Sequence, residues 1–239
     1  MKLNVKAILV VAALACMIPA AAMALNFYNE DFESLDAAGP TALGDAGWLI
    51  FANVFGPDWS YWYGYGVFPA PNNSGGFSAI ATGEGGAEQG MNQLSVYSDY
   101  NNADHGNGAW IEANVFQEQV IEAGDAGETW KFDFDAKMGN LEGGSTAKAF
   151  IKTLDPNNGY AMTNFITAEM TSIPAEWNRY SLTIAIDGGL VGQLLQIGFV
   201  SYATNYEGSG IFYDNIDFYI DGPVATQETS LTGVKEMFR

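Results

Sequence analysis

Basic residues are scarce in this 239-residue sequence, where nine Lys and Arg stand against 28 Asp and Glu. It contains one cysteine, Cys16, and one histidine, His105. Each shortage removes a class of function. Nucleic acids and anionic membrane surfaces demand clustered Lys and Arg, which the chain does not supply. One histidine cannot build a multi-histidine zinc site. A Ser-His-Asp triad would have to use His105 in a glycine-rich loop, and no Gly-x-Ser-x-Gly elbow accompanies it. Glycine-rich phosphate loops in a strand-to-helix context are missing as well. The acids are numerous enough for paired carboxylates of the glycoside-hydrolysing kind, yet no Glu-x-Asp-x-x-Glu strand carries them. The sequence gives catalysis no positive support.

What is present begins with an export signal. Lys2 and Lys6 form a basic start, Ala7 to Ile18 is apolar, and Ala22-Met23-Ala24 is an A-x-A cleavage site. The apolar run is short for a membrane span and lacks a charged stop on its far side. A competing feature, Ala13-Leu14-Ala15-Cys16, loosely resembles a lipoprotein box with Ala13 where Leu is usual; it would make Cys16 a lipidated anchor. Cleavage after Ala24 removes residues 1–24 and leaves Leu25 in front. The remainder holds seven basic and 28 acidic residues, a net charge of −21, and no cysteine. The expected location is secreted, extracellular or at the cell surface, the periplasm included. Without disulfides, a metal is the staple that remains, and carboxylates favour hard divalent cations.

Residues 25–222 read as one all-β domain. Strand-like runs near 25–33, 47–55, 59–68, 77–82, 92–98, 109–121, 128–138, 146–154, 160–170, 177–186, 193–202 and 211–220 are separated by Gly, Asn, Asp and Pro clusters. The clearest is Thr129 to Met138. Trp130, Phe132, Phe134, Ala136 and Met138 share one face, and Lys131, Asp133, Asp135 and Lys137 the other, as in a half-wet antiparallel strand. Two such sheets face to face make an antiparallel β-sandwich. Residues 223–239 form a linker and a short amphipathic tail. Ser230 would cap a helix with Leu231, Val234 and Phe238 on one side, docked on its own sandwich, an export machine, the cell surface or a neighbouring subunit.

Three stretches are candidate sites. In Ile211 to Ile220, period two places Asp214 on the same face as Phe212, Ile216, Phe218 and Ile220. An ionised carboxylate in an apolar row needs a partner. A Ca²⁺ shared with Glu33 from the opening Asn29-Glu30-Asp31-Phe32-Glu33 would supply one if first and last strands pair; a solvated or backbone-bonded strand end is the alternative. In Trp59-Ser60-Tyr61-Trp62-Tyr63-Gly64-Tyr65-Gly66, an extended chain lines Trp59, Tyr61, Tyr63 and Tyr65 along one side and Trp62 along the other. Four exposed rings would exceed the apolar patch usual on a monomer, so sugar, a loop or the second sheet should cover them. Asp99 to Gly108 is a polar turn that could line a cleft or bind a second cation, but Ala103 and Asp104 break the EF-hand spacing.

Taken together, the order of landmarks resembles the carbohydrate-binding-module-like jelly rolls of the galactose-binding-domain-like superfamily. The landmarks are Asn29-Glu30-Asp31-Phe32-Glu33, Gly47-Trp48, Leu94-Ser95-Val96, Trp110, Gly127 to Phe132, Ala136-Lys137, Glu176 to Tyr180 and Tyr213-Asp214-Asn215-Ile216. The resemblance implies a structural Ca²⁺ where first and last strands meet, held by Glu33 and Asp214 with Asp31 as an extra ligand. It implies a secreted, non-catalytic carbohydrate-binding protein whose platform is Trp59, Tyr61, Trp62, Tyr63, Tyr65 and Trp110, with Trp48 as a further ring. The partner would be a polysaccharide or other glycan. The alternative is a structural subunit of a surface layer, matrix or filament that self-associates through its tail; a polysaccharide lyase or hydrolase comes third.

Overall fold

Alternation decides where each residue goes. A computed structural model describes residues 25–72, 76–204 and 206–222. The export segment with Cys16 and the C-terminal tail lie outside the described residues, so the readings made for them stand as expectations.

The described residues form twelve strands, and each falls on one of the expected runs: β1 (Tyr28–Glu30), β2 (Leu49–Phe55), β3 (Tyr61–Pro69), β4 (Ser78–Thr82), β5 (Asn92–Val96), β6 (Trp110–Val120), β7 (Thr129–Met138), β8 (Thr146–Asp155), β9 (Ala161–Glu169), β10 (Asn178–Ala185), β11 (Leu194–Ala203) and β12 (Ile211–Ile220). Helix is confined to short turns such as α1 (Ala42–Asp45). One sheet runs β10-β7-β12-β5-β4, with β1 also on β12; the other runs β3-β2-β6-β11-β8-β9. All pairings between them are antiparallel. The molecule is an all-β sandwich with jelly-roll character, as expected.

The inner faces meet in an aromatic core. Phe199 of β11 stacks on Tyr213 of β12 with centroids 3.6 Å apart, and Phe132 and Phe134 of β7 lie 5.6 and 5.2 Å from it. Trp48, just ahead of β2, also stacks against Phe199 and is fully buried. It therefore offers no platform, contrary to the expectation for that ring. Burying side chains of this size is worth about 1.5–3 kcal/mol each, which makes this cluster the main cohesion between the sheets. His105 is buried too, beside the rings of Tyr100 and Tyr206 and 3.3 Å from Ser98 Oγ. Burial holds its pKa below the ordinary value.

First and last strands pair in register Tyr28–Phe218, Asn29–Asp217 and Glu30–Ile216. The face assigned to Asp214 is wrong, however. A β-bulge between Asp214 and Asp217, with Asn215 at φ 46°, shifts the phase of β12. Ile211 and Tyr213 point inward before it, Ile216 and Phe218 after it. Asp214 instead faces away from the core, directly opposite Asp135 of β7.

Candidate functional site

Where β1 leaves β12, four carboxylates come near one another. Asp214 is 1% exposed. Its Oδ1 accepts the Asn215 N–H at 2.7 Å, while Oδ2, also buried, has no hydrogen-bond partner. Desolvation, reinforced by Asp135, Glu33 and Asp31, pushes its pKa up to about 8. Asp135 is better served: it accepts from Gln89, Asn215 and Arg179. Glu33 Oε1 accepts the Met91 and Asn92 N–H groups at 2.8 and 2.7 Å, lying against Gly90, where a Cβ would come within 2.5 Å of the carboxylate. Asp31 is spent on the Glu33 N–H. Among the described residues, no three Asp, Glu, His or Cys side chains converge as a complete metal cage. What the site leaves for a cation is the buried Asp214 Oδ2, which has no hydrogen-bond partner.

The second site lies on the outward face of the second sheet. In β2, Ile50, Ala52 and Val54 point into the core, which turns Phe51, Asn53 and Phe55 outward. Register then lines up Phe55 with Trp110, Asn53 with Glu112 and Tyr202, and Phe51 with Asn114 and Val200. Outward residues on β8 include Phe150 and Lys152. A sheet face turned to water would ordinarily carry separated polar groups. Here the polar groups are drawn into one buried set. Lys152 donates to Asn114 Oδ1 at 2.5 Å, and its ammonium lies 3.9 Å from Glu112. Glu112 accepts from Asn53 at 3.0 Å and Asn114 at 2.8 Å. Phe150 and Phe165 flank the ammonium, with ring centroids 4.1 and 5.1 Å away. Burial lowers the Lys152 pKa and Glu112 opposes it. Gly198 lies midway on β11 between the partners of Lys152 and Asn114, leaving the reach between them unobstructed.

Rings gather at one end of this floor. Trp59 stacks on Trp110 at 4.8 Å and 15°, with the edge of Tyr202 at 6.1 Å. Phe55 lies 5.8 Å from Trp59 and 5.9 Å from Tyr61. Trp59 is 52% exposed and Tyr61 61% exposed. Stacked indoles backed by a sheet and open on one flank present a rigid apolar plane beside hydrogen-bonding groups.

No protein-family model matches this sequence, and no curated protein matches it. The comparison with solved structures finds distant likenesses. The CBM22-1 xylan-binding domain of Paenibacillus barcinonensis Xyn10C is 12% identical over 84% of this chain and 97% of that one, with a TM-score of 0.45. A cyclase from Fischerella sp. TAU is 14% identical over 80% and 93%, also at 0.45. The enzymatically active domain of bacteriophage CBA120 tailspike protein 4 is 13% identical over 78% of this chain at 0.44, and this chain spans 21% of its length. A xylan-binding domain is one of these distant likenesses. Enzymes stand beside it, so function has to come from this chain's own side chains.

The expected platform is only partly assembled. Trp59, Tyr61 and Trp110 meet on the outward face. A register shift in the β2–β3 pair between Val54 and Phe55 sends Tyr63 and Tyr65 to the other side, opposite Val54 and Ala52. There Tyr63 donates to Asp104 and Tyr65 to Asp99, both at 2.6 Å, so the polar turn anchors these rings. Trp62 is exposed beside Gly56. The single-stripe expectation is corrected by that shift. Phe55, Glu112, Asn114, Lys152 and Tyr202 were missed. Their signal was the alternation of Trp110, Glu112, Asn114 and Phe116, legible only once β6 has neighbours.

Proposed function

We propose that this is an exported, non-catalytic protein that binds a neutral carbohydrate chain on the outward face of its second sheet, with Ca²⁺ clasping Asp214 and Glu33 where the chain's ends meet. The observation that carries the binding reading is the Trp59–Trp110 stack, half exposed at Trp59, beside the Asn53–Glu112–Asn114–Lys152 floor. The apolar face of a sugar ring packs on the exposed Trp59 indole, and its hydroxyls meet the exposed Tyr61 hydroxyl at the rim. A net charge of −21 after cleavage repels polyanions, which favours neutral glycans. The non-catalytic reading is supported by the state of the floor: Glu112 and Lys152 are tied to each other and to two asparagines rather than poised toward an open position. Ca²⁺ is supported by the partnerless buried Asp214 oxygen.

A glycan array and pull-downs on insoluble polysaccharides, in calcium-containing buffer, test the reading. Retention of the wild type with loss in Trp59→Ala supports it. Passage of the wild type through the whole panel removes it.

A further inference from the structure

Leu25 is held in an unusual way. Its side chain is 5% exposed and belongs to the main core, so the residue's position is fixed. Its nitrogen lies 2.9 and 3.1 Å from the two oxygens of the Asp125 carboxylate. Asn26 is locked alongside, its N–H donating to Gln119 Oε1 at 2.6 Å and its carbonyl accepting from Gln119 Nε2 at 3.1 Å. Asp125 is 2% exposed, in the turn between β6 and β7, and also accepts the Glu122 N–H at 2.8 Å. Among the described residues, no Lys, Arg or His forms an ion pair with it.

Two features therefore converge on residue 25. The first is chemical. A backbone amide has one hydrogen to divide between two carboxylate oxygens, whereas an α-ammonium has three and carries the positive charge that a buried carboxylate requires. The second is the Ala22-Met23-Ala24 motif, which directs cleavage to the bond immediately before this nitrogen.

We propose that the Ala24–Leu25 bond is a processing site and that Asp125 is the built receptor for the α-ammonium released there. Hydrolysis by an export peptidase consumes one water and leaves a carboxylate on Ala24 and an ammonium on Leu25. The ammonium then forms a bidentate, charge-assisted pair with Asp125. Processing thereby completes the fold: the uncut chain presents only a neutral amide to the same carboxylate. The proposal rests on the export reading and is independent of the glycan.

Two measurements test it. The N-terminus of the exported protein, read by sequencing and intact mass, should be Leu25. Recombinant chain starting at Leu25 should melt above its N-acetylated form, by about 2–4 °C for the loss of one strong charge-assisted contact in a domain of this size. Asp125→Asn should lower the free-amine form and abolish that difference. If Asp125→Asn does not fold, the acetylation comparison decides alone. An exported product with a different first residue overturns the proposal, as does coincident melting of the free and acetylated chains.

Discussion

Asp214 is the residue whose chemistry reaches furthest. Its carboxyl takes up protons more readily folded, with a pKa near 8, than unfolded, at 3.8. An acid raised in this way stabilises the fold at low pH, and that contribution is lost as pH climbs through the interval. Metal-free Asp214→Asn should therefore match the wild type only below about pH 4, gain on it steadily above that, and exceed it near about pH 8 by several degrees at about 2–4 °C per kcal/mol. Saturating Ca²⁺ should narrow the gap at about pH 8, stabilising only the wild type, by roughly 2.7 kcal/mol at a hundredfold excess over Kd. Thermal melts of both proteins with and without chelator check this; a wild-type midpoint indifferent to Ca²⁺ would remove the clasp. Lys152 makes a second residue-scale prediction. Lys152→Met leaves Glu112 buried without its cation, at a cost on the order of 3 kcal/mol. Adding Glu112→Leu should recover part of that loss in denaturant unfolding, since the stranded charge has gone.

At the level of elements, two register shifts place the functional groups, and both defeat a count of every second residue. In β12, the Asp214–Asp217 bulge turns an apparent core carboxylate outward while keeping it buried. Asn215, a residue that tolerates positive φ, was the only local hint. In the β2–β3 pair, the shift after Val54 divides what looked like one aromatic stripe into a solvent-facing end and an anchored end. The strands themselves were legible, because turn clusters bracket each run and alternation marks the core face of β7 and β10. The polar floor was not. Glu112 and Lys152 look like ordinary residues of a wet face until β11 sets their strands on either side of Gly198. That glycine is itself testable. A Cβ at 198 would lie 2.3 Å from the Val115 carbonyl oxygen in the β6 neighbour. Gly198→Ala should cost more than the roughly 1 kcal/mol typical of point changes, read from the denaturant midpoint, and should weaken ligand binding by displacing Asn114 and Phe116.

For the whole molecule, charge and shape act together. An acidic sandwich that engages a neutral ligand through rings and hydrogen bonds should bind with little dependence on ionic strength, in contrast to proteins whose affinity comes from counterion release. Titration at low and high salt separates these cases: a steep loss at high salt would point to a charged ligand. The proposed binding reading rests on the outward face, where Trp59 stacks on Trp110 and stays half exposed. Its most direct test is the affinity of the wild type and of Trp59→Ala and Trp110→Ala for whichever glycan the array retains. The account predicts at least a tenfold loss in each variant, about 1.4 kcal/mol, with unchanged far-ultraviolet circular dichroism. Equal affinity in all three proteins would contradict it.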